Sequence, residues 1–99
     1  MKKQFLLKLI PPRSTFAEDM SETERKIMNE HIEYWKDLTD KGIAVVFGPV
    51  LDHKSPWGLG IIEMEDENYA HALAANDPSV KSGLNKVEIY PMRIGMVRR

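Results

Sequence analysis

Residues 21–42 constrain the fold most, because both ends of one long helix are written into them. Ser21-Glu22-Thr23-Glu24 reads as a capping box. The Ser21 hydroxyl can accept from the Glu24 amide, while the Glu24 carboxylate reaches back to the Ser21 amide. Acidic residues here also suit the positive end of the helix dipole. Gly42 supplies the left-handed residue that commonly ends a helix, so the segment is expected to run to about Lys41. Within it Ile27, His31, Tyr34, Trp35 and Leu38 recur at spacings of three and four, which places them on one stripe. Glu30, Glu33, Lys36 and Asp37 fall on the wet side. A titratable imidazole therefore points inward from an apolar face.

The flanking segments read as strands. Residues 3–10 are rich in Phe, Leu and Ile and are cut off by Pro11-Pro12. Residues 11–20 are too long for a tight turn and make a candidate wall or lid for a site. Residues 43–47 form a β-branched apolar run that Gly48-Pro49 interrupts before Val50-Leu51. Proline there implies a bulge, an edge or a strand end. Residues 52–56 read as a hairpin loop, and 57–65 as a third strand with Gly58 and Gly60 on one face, leaving room for a close approach. Asp66 can cap a second helix with Tyr69, Ala70, Leu73 and Ala74 inward, stopping at Asn76-Asp77-Pro78. A short helical turn over 78–83 and a fourth strand over 86–94 complete the chain.

The order strand, helix, strand, strand, helix, strand is the ferredoxin-like βαββαβ pattern, an α+β sandwich in one domain over residues 1–99. Two helices cover one face of such a sheet, yet residues 5–10 and 43–47 are apolar on both faces. An antiparallel sheet with a solvated face should alternate cleanly. A second copy of the same sheet is the simplest cover, so a homodimer packed through the sheet face is expected. The size points the same way, since a 99-residue domain buries only about 60–65% of its unfolded surface.

Composition removes several functional classes. A formal net charge of −1 leaves no excess of cations to displace phosphate counterions, so nucleic acid is not an expected partner. The absence of cysteine excludes disulfides, thiolate metal sites and thiol nucleophiles. No run approaches the roughly 20 apolar residues that span a bilayer. Lys8 interrupts the first apolar run and Pro11-Pro12 ends it, which does not fit a signal peptide, so a cytoplasmic location is expected.

The chemistry centres on His31. A core histidine bonded to a backbone group is the plainer reading, whereas a general acid or base is the functional one. The latter needs a carboxylate on the other ring nitrogen. Asp77 is the best candidate, although Asp before Pro is also a good helix N-cap; Asp52, in a loop, is the rival. Arg13 could clamp an anion, with Thr15 and Phe16 beside it. His53 and His71 lack the spacing to join His31 as metal ligands, so no metal is assigned, and the isolated glycines make no phosphate loop, so no nucleotide cofactor is indicated. Ser55 lacks a nucleophile-elbow context.

The ordered set His31-x-x-Tyr34-Trp35, Leu38, Gly42, Phe47-Gly48-Pro49, Gly58, Gly60-Ile61-Ile62, Asn76-Asp77-Pro78, Gly83-Leu84 and Pro91 resembles the YCII-related family across essentially the whole chain. The opening Ile10-Pro11-Pro12-Arg13 with Phe16, Asp19-Met20 and Ile27-Met28 is similar to a subgroup with an extended first loop. The resemblance implies a ferredoxin-like fold forming a dimeric α/β barrel, often within larger oligomers, and a site built on a His–Asp pair, here His31 and Asp77. Some members are small-molecule lyases, including a dehydrochlorinase in aromatic breakdown. The expected function is cofactor-independent acid–base chemistry on a small molecule, of lyase or isomerase type. His31 and Asp77 would be catalytic, and Arg13, Phe16, Tyr34, Gly48, Pro49 and Gly58 would contact the ligand. The alternative is a non-catalytic ligand-binding or assembly module in which His31–Asp77 is a structural pair.

Overall fold

The structure, a computed structural model, describes residues 2–98. The chain forms β1 (Lys3–Ile10), a one-turn helix α1 (Phe16–Asp19), α2 (Glu22–Asp40), β2 (Ala44–Val50), β3 (Trp57–Met64), α3 (Glu67–Asn76), a one-turn helix α4 (Pro78–Lys81) and β4 (Lys86–Met92). All neighbouring strands are antiparallel, in the order β2-β3-β1-β4. This is the ferredoxin-like α+β architecture.

Local sequence explains most boundaries. The Ser21–Glu24 capping box is complete, and Gly42 turns the chain out of α2 with φ +78°. Asp66 caps α3 by accepting from the Asn68 amide at 2.8 Å. Pro49 stays within the ladder, paired with Gly58, because β2 lies at the sheet edge and an edge tolerates a missing donor. The expected irregularity falls earlier, as a bulge between Ala44 and Val46. Within residues 11–20, read as a connection, Phe16 anchors one turn of helix and is buried.

Strand alternation divides the sheet. Phe5, Leu7 and Leu9 are buried against the helices, with Ile62, Trp35, Leu38 and Leu73. Tyr69, expected inward, is 67% exposed. Ala70 and Ala74, both buried, let α3 lie close to the sheet, and the bulky ring at the flank of their stripe is turned outward. Among the described residues no helix covers the other sheet face. One apolar row crosses all four strands on it: Val46, Ile61, Leu6 and Tyr90 are successive cross-strand partners. Val46 and Tyr90 are exposed and the two central residues half-buried.

The β3 glycines serve the helical side. A Cβ on Gly60 would collide with the Trp35 ring, which stacks on Phe47 with centroids 4.9 Å apart. The bare backbone at position 60 thus lets α2 settle onto the sheet and fixes where His31, one turn earlier, emerges.

Candidate functional site

His31 and Asp77 meet in the interior, 46 residues apart in sequence. His31 is 3% exposed and Asp77 1%. The His31 Nδ1 lies 2.8 Å from Asp77 Oδ2 and 2.9 Å from Oδ1. Three further donors, from two residues, hold the carboxylate. Trp35 Nε1–H donates to Oδ2 at 2.8 Å. The Ser79 amide and hydroxyl both donate to Oδ1 at 2.9 Å. Asp77 is therefore at once the N-cap of α4, with Pro78 at the first helical position, and the acid facing His31. The capping and the histidine readings of Asp77 describe one geometry.

Burial by itself would push the Asp77 carboxyl upward. The hydrogen bond and charge of His31, then the Trp35 indole and the Ser79 amide, outweigh it and hold Asp77 below the ordinary carboxylate range. An ionised Asp77 accepts, so His31 Nδ1 carries the hydrogen and donates. Whenever the ring is neutral, Nε2 is therefore its acceptor. The edge of the ring meets Phe47, with centroids 5.3 Å apart.

His31 also lines a cavity of about 280 Å³ between the first loop, α2 and the ends of β2 and β3. Arg13, Phe16, Gly48, Pro49 and Gly58 line the same space, whereas Tyr34 does not. The Tyr34 hydroxyl is taken up by the Leu73 carbonyl at 2.6 Å, and burial raises its pKa. Arg13 reaches the wall with its charge already engaged. Its Nε and Nη2 hold the Asp19 carboxylate and carbonyl, and Nη1 and Nη2 grip Glu24 in a fork at 2.9 and 2.7 Å. That fork and the Ser21 amide lower Glu24 to about 2. Glu24 thus closes the capping box and moors the first loop to α2. Thr15 donates to Asp19 at 2.7 Å rather than to the cavity.

Asp52 is exposed and accepts from the Lys54 amide within its own loop. His71 is exposed on α3, 3.5 Å from Glu67. Among the described residues no group of three or more His, Asp or Glu side chains could hold a metal ion. Sequence reasoning missed Ser79 and the indole donor of Trp35. Asp-Pro-Ser is a signal for the first, since an N-cap carboxylate bonds the amide two residues on; nothing local marks the second.

The YCII-related domain matches residues 7–93. The chain belongs to the YCII-related family. No curated protein matches its sequence. Among solved structures it is similar to 5-chloro-2-hydroxyhydroquinone dehydrochlorinase (TftG) from Burkholderia phenoliruptrix AC1100, in complex with 2,5-dihydroxybenzoquinone. The identity is 21%, covering 93% of this chain and 95% of that one, with a TM-score of 0.71. An uncharacterized protein from Thermotoga maritima is 7% identical, over 94% and 100% of the two chains, with a TM-score of 0.56. At these identities the likeness establishes the ferredoxin-like fold of this YCII-related chain.

Proposed function

We propose that this YCII-related protein is a small-molecule enzyme whose proton-transfer group is His31, oriented by Asp77. The observation that carries the reading is a buried imidazole with one nitrogen spent on an ionised carboxylate and the ring facing an apolar cavity. A purely structural pair has no need to face a space that a ligand could fill.

The chemistry favoured is elimination. His31 Nε2 takes a proton from the ligand, the released electron pair forms a new π bond, and the leaving group departs with the electrons of its own bond. Asp77 stabilises the imidazolium that results, and Trp35 and Ser79 keep Asp77 ionised and in place. No oxidant or cofactor is needed for this balance. The similarity to TftG, named for a dehydrochlorinase activity, supports an elimination on an oxygenated ring compound. His31, Asp77, Phe16, Gly48, Pro49 and Gly58 are the residues assigned to the site. Arg13 shapes its wall through the Asp19 and Glu24 ion pairs.

The open sheet face bears on the assembly. The row Val46, Ile61, Leu6 and Tyr90 is apolar across the full width of the sheet. A second copy laid sheet to sheet would bury it, so the working unit in this reading is a homodimer.

The test is turnover of chlorinated hydroxyhydroquinones and related halogenated phenols, followed by chloride release. His31→Gln should abolish release while leaving the circular dichroism spectrum unchanged. Retained release in that variant would remove His31 from the role.

A further inference from the structure

The cavity wall contains a polar side chain that the His31–Asp77 pair does not use. Asn85 stands between Gly83, which turns the chain at φ +81°, and the first residue of β4. Its backbone N–H donates to the Ser79 carbonyl at 2.8 Å, tying it to the same turn that carries Asp77. Asn85 is 6% exposed and lines the cavity together with His31.

Its carboxamide is poorly served. Among the described residues the only side-chain partner of Nδ2 is the Met28 thioether at 3.7 Å, and sulfur is a weak acceptor. Oδ1 is sealed from solvent with no hydrogen-bond partner among the described residues. Turning the amide over exchanges one deficit for another, because the oxygen would then face the sulfur. Buried amides are ordinarily paired, and an unpaired one costs free energy that an apolar residue of the same size would not. Position 85 faces a cavity whose other walls include Leu9, Phe16, Ile32 and Phe47.

We infer that Asn85 is a ligand-binding residue, whose carboxamide hydrogen-bonds a hydroxyl or carbonyl oxygen on the molecule held against His31. This rests on the reading of the cavity as the site of His31 chemistry. The ligand oxygen replaces the weak Met28 sulfur as the acceptor of Nδ2, while Oδ1 stays sealed behind it. Met28, unbranched and flexible, can withdraw from the wall to admit it. Arg13 is neutralised by Asp19 and Glu24 and offers no spare charge to a carboxylate. The ligand class is therefore a small, neutral ring compound with an oxygen at the edge facing Asn85. The apolar walls take the ring, and the amide sets which edge is presented to His31.

The experiment compares 4-methylphenol with p-xylene, which have the same shape with and without one hydroxyl. Binding to the wild-type protein is followed by NMR at the His31 ring and the Asn85 side-chain NH2. The expected result is 4-methylphenol binding about five- to tenfold tighter than p-xylene, the effect of one neutral hydrogen bond. The phenol should move the Asn85 NH2 protons downfield, as a new hydrogen bond does, beyond the ring-current shift that p-xylene alone produces. Asn85→Leu should erase the preference while leaving p-xylene binding intact; a preference that survives in Asn85→Leu would overturn the role of Asn85. Equal affinities without that downfield shift in the wild type would overturn the role of Asn85 and leave the cavity reading standing. Binding of neither compound, with no shift at His31, would overturn both. The wild-type comparison decides the matter even if Asn85→Leu fails to fold.

Discussion

Trp35 Nε1 and His31 Nδ1 share one oxygen: each lies 2.8 Å from Asp77 Oδ2. Both donors come from the same face of α2, four residues apart, so one helix turn supplies the histidine and a brace for its acid. Removing the carboxylate strips partners from His31, Trp35 and Ser79 together. Asp77→Ala leaves these buried donors without their charged acceptor, at about 1.5–3 kcal/mol for a single such bond, and is expected to cost more than that, as measured by urea unfolding. Trp35→Phe loses the indole donor, worth about 1.5–3 kcal/mol, and also the outer ring atoms that lie over Gly60, so its cost should exceed that of the hydrogen bond alone.

Acid should act through the same carboxylate. Asp77 is held below its ordinary value of 3.8, so on acidification the unfolded chain takes up this proton first. Its contribution to stability is complete above about pH 4 and fades as pH falls toward the lowered folded value. Trp35→Phe removes one of the lowering bonds and narrows that window. The acid-unfolding midpoint, followed by circular dichroism, should rise in this variant.

Gly60→Ala is expected to be far more disruptive than an alanine on a strand would suggest. The new Cβ points into the Trp35 ring, which is wedged between β3 and Phe47. Overpacking of this kind costs about 1–3 kcal/mol, and the ring must shift. In a Trp57→Phe background the remaining Trp35 emission should change, and the cavity beside His31 should bind ligands more weakly.

Arg13 is expected to control the first loop rather than the core. With Glu24 lowered from 4.5 to about 2, the fork is fully formed above about pH 4.5 and is lost as pH falls toward 2. Arg13→Gln should mimic that loss at neutral pH. Hydrogen exchange of the Phe16, Glu18 and Asp19 amides, which bond back to residues 13 and 15, should speed up while β1 and β3 stay protected.

Ile61→Lys tests the assembly. It places a charge at the centre of the apolar row on the open sheet face. The wild-type protein should sediment as a dimer or larger and this variant as a monomer with an unchanged fold. A monomeric wild type at micromolar concentration would remove the sheet-to-sheet pairing.

Much of the fold was readable because its signals are local. The capping box from Ser21, the stop at Gly42, the Asp66 cap and the alternation in β1 each depend on a few neighbouring residues. Tyr69 was misjudged because helical spacing says which residues share a flank, while the closeness of α3 to the sheet, set by Ala70 and Ala74, decides whether a large ring fits there. Of the bulge, edge or strand end that Pro49 implied, the edge is the one that holds, and sheet order, not local sequence, selects it.

An imidazole on the inner face of α2 and an Asp-Pro turn that starts a short helix late in the chain can both be read from neighbouring residues alone. Periodicity and capping chemistry suffice for that. Only the tertiary structure decided that the two meet, that Trp35 and Ser79 complete the ring of donors around Asp77, that Arg13 is already paired, and that Asn85 faces the cavity with its amide unmatched. Except for Ser79, two residues from Asp77, and Arg13, within 11 residues of its partners, these are relations between groups tens of residues apart. The path that joins them runs through α2 settling onto Gly60, a contact between side chain and bare backbone that leaves no periodic trace along the chain.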